Sequence, residues 1–199
     1  MGSADPATLA GELAQRRGPL PRSKDLPADA GIYAVWGSPV PGQPPAVDSA
    51  AAEILYVGRG DPSLRRRFAE EWRPRTSGRS SPRRTLGALL QSELGLVPVP
   101  RQDRDIVRGA RYYCFADDGE ARLTEWCDQH LEFAAVTCAR GEADGLETAL
   151  IALLMPPLNL TKWQNPDAPR LRALRRRLAQ EALRHPLEAG RQPRGGDGR

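Results

Sequence analysis

The chain has 199 residues, 40% of them hydrophobic and 27% charged, with a formal net charge of +4. That length suits one domain with a short appendage, and no run of about 18 apolar residues is present, which excludes a membrane-spanning helix. Three cysteines without C-x-x-C spacing (Cys114, Cys127, Cys138) and only two histidines, His130 and His185, argue against a structural zinc site and for reduced thiols in a cytoplasmic protein.

The first residues, M-G-S-A-D-P, lack a basic segment followed by an apolar one, so no secretory signal is expected. Pro6–Arg17 predicts a short helix with Leu9 and Leu13 one turn apart, stopped by Gly18-Pro19. A Pro-rich approach follows, then a β-branched and aromatic strand at Gly31–Trp36. Residues 37–52 hold four prolines and read as a long loop to a second strand at Glu53–Gly58. Asp61-Pro62 signals a helix with Leu64, Phe68 and Trp72 at every fourth position. After a basic Gly/Ser loop, Pro82 or Arg83 opens a helix through Leu94 that Gly95 stops.

Val97–Val107 reads as irregular, Ala110–Phe115 as a strand, Asp117–Leu131 as a helix and Glu132–Thr137 as a short strand. Glu142–Met155 is an apolar helix stopped by Pro156-Pro157, and Asp167–Leu183 a last helix. These elements predict an α+β fold, a small, mostly antiparallel sheet packed with surrounding helices. The expected organisation is an N-terminal helix and linker (1–26), a central domain (27–163), a basic amphipathic helix (164–185) and a disordered tail (186–199).

Charge is uneven along the chain. Nine arginines face three acids between Arg59 and Arg84, and nine again face three between Arg170 and Arg199. Such clusters suit a polyanion, while a merely solvated arginine face is the plain alternative.

Five residue groups then stand in a telling order. G-I-Y at Gly31–Tyr33 and Y-V-G at Tyr56–Gly58 are followed by L-R-R-R-F at Leu64–Phe68. Glu147 follows on an apolar helix, and P-P-L-N at Pro156–Asn159 closes the series. This order resembles the GIY-YIG nuclease superfamily, in particular its bacterial stand-alone members. The resemblance implies a strand hairpin carrying the two tyrosines, with one or two further strands. It also implies hydrolysis of phosphodiester bonds in nucleic acid, DNA being the expected substrate, with Mg²⁺ or Mn²⁺ as cofactor. A nucleic-acid-binding domain that does not cut is the alternative reading. Cutting both strands would call for two copies, a homodimer that no pattern in the chain specifies.

The resemblance further assigns roles. Glu147 would hold the metal, since Mg²⁺ takes only one or two protein carboxylates; an ion pair with an arginine is its plain alternative. Tyr33 would take a proton from water, which requires nearby cations to favour its phenolate. Tyr56 would orient Tyr33 or the water, and Asn159 closes the catalytic set. Arg67 would clamp the phosphate, with Arg84 in the next helix as second contender. Arg59, Arg66, Arg75, Arg79, Arg83 and Arg84 are expected to bind nucleic acid, joined by Arg73 and the final helix. Gly31 and Gly58 would let backbone approach a ligand. Two departures stand out. Glu71 occupies a position where many relatives carry His or Tyr; a second metal ligand and a sign of altered activity are alternatives, and a solvated charge is the expectation. Tyr33 and Tyr56 are 23 residues apart, more than is usual for the family, which a loop insertion explains at little cost.

Overall fold

The computed structural model describes residues 5–37, 54–101 and 112–184. Apart from Gly37, the loop expected at 37–52 lies outside the described residues, as do most of the irregular stretch 97–107 and the tail expected at 186–199.

Helix α1 (Pro6–Gln15) starts at Asp5, whose carboxylate accepts from the Thr8 amide at 3.0 Å, the standard way to satisfy a free first-turn N–H. Four strands, β1 (Gly18–Pro19), β2 (Gly31–Gly37), β3 (Ile54–Gly60) and β6 (Leu131–Thr137), form one antiparallel sheet in the order β1-β6-β2-β3. A separate antiparallel pair joins β4 (Pro98–Pro100) to β5 (Tyr113–Phe115). The helices are α2 (Leu64–Glu71), α3 (Ser81–Leu89), α4 (Gln91–Leu94), α5 (Asp117–His130), α6 (Ala143–Leu154) and α7 (Ala168–Ala182). The fold is α+β, with seven helices and these two sheets among the described residues. No helix among them is long and apolar enough to cross a membrane.

Strand β2 is buried along its whole length because the sheet is covered on both faces. Side chains alternate between the faces. Tyr33 and Val35 point into one core with Phe133 of β6, Leu64 and Phe68 of α2, Leu86 of α3, Leu123 of α5 and Leu178 of α7. Ile32, Ala34 and Trp36 point into the other, with Leu9 and Leu13 of α1 and Leu146, Leu150 and Ile151 of α6. Both terminal helices thus pack into the same two cores as the sheet.

Three local expectations are corrected. Helix α2 begins at Leu64, not at Asp61-Pro62, because Ser63 caps it: its hydroxyl accepts from the Arg66 amide at 3.3 Å. The helix expected through Leu94 breaks at Leu90, whose backbone (φ −89°, ψ 4°) leaves helical geometry, and restarts as α4. Pro98–Pro100 is a strand rather than irregular; its prolines mask the pattern, which an edge position tolerates.

Candidate active site

The hairpin of β2 and β3 places Tyr33 opposite Gly58 and Val35 opposite Tyr56. Both tyrosines therefore share one face, with ring centroids 6.2 Å apart. Gly58 is required by this packing: a Cβ there would overlap the Tyr33 ring and hydroxyl. At Gly31 a Cβ would overlap the Val136 carbonyl and Leu64. The close approaches at these glycines are to the protein itself.

Helix α2 crosses the same face. Arg67 and Glu71 are four residues apart and so are neighbours along the helix. Glu71 is not the solvated charge expected of it: it is 3% exposed. A buried carboxylate is costly unless donors surround it, and Glu71 has three. Its Oε2 accepts from the Tyr33 hydroxyl, and its Oε1 accepts from Arg67 Nη2 at 2.6 Å and, more loosely, from the Tyr56 hydroxyl at 3.4 Å. Leu64, Phe68 and Trp72 carried the helical pattern in the sequence. Glu71 lies seven residues after Leu64 and three after Phe68, and that spacing was the signal that it faces inward.

Electrostatics follow from this enclosure. Burial raises the Glu71 carboxyl above its ordinary range, although Arg67 and the two phenols pull it down; the charge of Glu147 adds to the rise. Tyr33 is fully buried, and burial followed by the adjacent Glu71 charge pushes its phenol well above the ordinary value. Tyr56 moves the same way for the same two leading reasons. Among the protein's own groups, the interior and the Glu71 carboxylate outweigh Arg67 at Tyr33.

Glu147 belongs to a second ionic group. Arg59 and Val57 alternate with Tyr56 and Gly58 along β3, so Arg59 emerges on the opposite face, towards α6. There Glu147 is 9% exposed. Its Oε2 accepts from Lys162 Nζ and lies 3.4 Å from Arg59 Nε. Asp144, one turn earlier, meets Lys162 at 2.8 Å and Arg59 at 3.3 Å. The charge of Glu147 reaches Tyr56 and Glu71, while its hydrogen bonds and ion pairs run to Lys162 and Arg59.

A family model described as the GIY-YIG catalytic domain matches residues 31–181. The chain belongs to the GIY-YIG family. No curated protein and no solved structure matches it.

This GIY-YIG domain uses Asn159 as a fastener. Its Oδ1 accepts from the Val57 amide at 2.9 Å and its Nδ2 donates to the Val57 carbonyl at 2.8 Å. Both side-chain groups are thereby committed to β3, the strand that carries Tyr56.

Arg67 and Glu71 form the wall between two clefts of the GIY-YIG domain. One, of about 690 Å³, is lined also by Tyr56, Arg172, Arg175 and Arg176; the other, of about 920 Å³, by Arg75, Arg79 and Arg101. The Arg67 side chain is 44% exposed, so its guanidinium reaches these clefts while one nitrogen holds Glu71. Arg84, the second contender, is buried beside the smaller cleft: it bonds the Ser80 carbonyl and sits 4.8 Å from the ring centroid of Tyr112, which lines that cleft. Burial and then Arg175 lower its pKa to about 10.

Other arginines divide by environment. Arg66 is exposed beside Glu70, and Arg75 and Arg79 are exposed. Arg83 is corrected outright as a nucleic-acid ligand. It is fully buried, 3.2 Å from Glu120, and bonds Ser77, Thr124 and the Trp72 carbonyl. Arg73 is tied to Asp128 and to the Leu20 and Pro21 carbonyls.

The donor set of Asp144 and Glu147 fits a hard divalent cation, since both are carboxylates on adjacent turns of one helix. Among the described residues, no group of three or more His, Cys, Asp or Glu gathers as a metal site. The ammonium of Lys162 already bridges the two carboxylates.

Proposed function

We propose that this GIY-YIG domain is a divalent-metal-dependent endonuclease that hydrolyses phosphodiester bonds in nucleic acid, with DNA as the substrate. The observation that carries this reading is the convergence of Tyr33, Tyr56 and Arg67 on the buried Glu71 at the wall of arginine-lined clefts.

Arg172, Arg175 and Arg176 of α7 receive the phosphate backbone in the smaller cleft, and Arg75 and Arg79 in the larger. Arg67 stabilises the charge that builds on the phosphate in the transition state; its planar, permanently charged fork suits that task. Tyr56, which lines the smaller cleft, orients the attacking water. Tyr33 positions Glu71 from beneath. Asn159 holds β3 in register with the cleft. A bound Mg²⁺ or Mn²⁺ supplies charge neutralisation at the scissile phosphate, and Glu147, with Asp144 beside it, would hold the ion in exchange for Lys162.

Plasmid nicking with Mg²⁺ or Mn²⁺ tests this. Wild type should nick, whereas Glu147→Ala and Arg67→Ala should each lose about 100-fold or more with binding retained. Equal nicking by wild type and both variants would sink the assignment. The pairing of Glu147 with Lys162 and Arg59 favours a second reading, a domain that binds nucleic acid without cutting it. Binding that is salt-sensitive and metal-independent, with no cleavage of duplex, single-stranded or branched DNA, would select that reading.

A further inference from the structure

We propose that Ser81 and Arg175, backed by the buried Arg84, form a second phosphate-binding subsite at the start of helix α3. It takes a phosphate of the strand other than the one being cut. This rests on the reading that the smaller cleft receives nucleic acid, and not on cleavage itself.

Unbalanced charge is the first argument. A buried cation is costly unless an anion or several acceptors meet it. Arg83 obeys that rule, with the Glu120 carboxylate at 3.2 Å. Arg84, the next residue, does not. It is 6% exposed, and among the described residues its guanidinium makes one hydrogen bond, from Nε to the Ser80 carbonyl at 3.3 Å. The ionised groups that act on it are Arg175 and Arg101, both cations. Half-buried Arg175 is in the same position, with Arg172 as its ionised neighbour. Burial, reinforced by like charge, lowers both guanidiniums below their ordinary value. A fold that gathers cations without an acid between them is built to receive an anion.

Geometry is the second argument. Ser80 caps α3, so the bond to its carbonyl folds Arg84 back to the start of that helix. Ser81 opens the helix and lines the smaller cleft with Arg172, Arg175 and Arg176. Arg175 Nη1 donates to Ser81 Oγ at 3.1 Å, which leaves the Ser81 hydroxyl proton to donate elsewhere. The start of α3 adds its partial positive charge. Glu71, the acid among the residues lining this cleft, is already held by Arg67 and the two tyrosines.

A tetrahedral phosphate oxyanion suits this set, because a guanidinium can meet two of its oxygens and a hydroxyl a third. Arg67 is left for the scissile group. A neighbouring diester or a terminal phosphate held at Ser81 would fix the register of the strand against Arg67, as phosphate contacts do.

The test uses the full chain without metal. Thermal midpoints are measured in inorganic phosphate and in chloride of matched ionic strength. Binding is measured by fluorescence anisotropy on a DNA duplex with and without terminal phosphates. Phosphate should raise the wild-type midpoint above the chloride control. Arg84→Met and Arg175→Met should each lose most of that rise and bind duplex about 10-fold more weakly. Arg16→Met, which removes a surface cation beside Glu12, should keep both. Tighter binding of the phosphorylated duplex by wild type, lost in Arg84→Met, assigns the subsite to a terminal phosphate; equal wild-type binding with the 10-fold loss assigns it to an internal diester. The subsite is overturned if phosphate stabilises wild type no more than chloride does, or if both variants keep the wild-type rise and affinity. Should Arg84→Met not fold, Arg175→Met and Ser81→Ala decide. Wild type that nicks but shows no phosphate response overturns the subsite alone. Wild type that responds to phosphate yet never nicks with metal rejects cleavage and leaves the subsite supported.

Discussion

A carboxylate withdrawn from water is stabilised only by what surrounds it, and Glu71 remains more easily protonated than a free one. The consequence for stability has a definite sign. A folded-state pKa above the unfolded value means that the native protein binds more protons within that window. The contribution is present in full below the unfolded carboxylate pKa and is lost as pH rises through the folded one. Wild type should therefore lose stability relative to Glu71→Gln as pH rises from below the ordinary carboxylate range to neutrality. Urea midpoints across pH measure this, and a gap that stays constant would contradict the shift. Arg83 gives a second prediction. Arg83→Met strands the buried Glu120 carboxylate without its cation. It should cost about 3–5 kcal/mol, read by urea denaturation, with no specific effect on nucleic-acid affinity. Both residues obey one sequence rule that charge conceals. Glu71 shares a helical stripe with Leu64 and Phe68, and Arg83 shares one with Leu86 and Leu90. Spacing marked them as inward, but residue type suggested solvent. Only the assembled neighbours, Tyr33 for one and Glu120 for the other, make burial tolerable.

The elements that carry the candidate site were legible where local signals agree. The β-branched and aromatic run at Gly31–Trp36 announced β2, and the run from Glu142 to Pro156 announced α6. Lys162 had no such signal. Its place beside Glu147 depends on how the turn after Asn159 folds back, with the Lys162 backbone at φ 72°. Strand β4 was hidden by its own prolines. Two substitutions probe how the elements hold the site. Asn159→Ala removes both side-chain bonds to Val57. It should cost about 1–3 kcal/mol, seen as a lower denaturation midpoint. Gly58→Ala drives a methyl into the Tyr33 ring and should cost about 1–3 kcal/mol as the core strains. Its nicking rate should fall with it, because Tyr33 could no longer seat Glu71 in place.

For the molecule as a whole, the uneven charge seen in the sequence resolves into several populations. Some arginines are internal ties, such as Arg83 and Arg73. Others line the clefts, among them Arg172, Arg175 and Arg176 from a helix that packs into the main core. Composition could not separate these groups, since an arginine in an ion pair and one facing a phosphate look alike in a sequence. The separation predicts a salt dependence. Removing one arginine that neutralises a phosphate should reduce the slope of log affinity against log salt by about 0.9 on duplex DNA. Arg172→Ala with Arg176→Ala should therefore lower it by about 2, by fluorescence anisotropy. Unchanged slopes would place the DNA elsewhere.

Strand β3 stands at the border of its sheet, where unpaired amides and carbonyls invite another chain to add on. The turn at Pro156–Asn159 answers part of that invitation. Leu158 donates to the Leu55 carbonyl at 3.0 Å, and the Asn159 amide imitates a peptide group towards Val57. The border is thus sealed by a turn and a side chain instead of by another strand. Two copies joining into one continuous sheet through β3 would have to break that seal, and a chain without it would offer the bare border to aggregation.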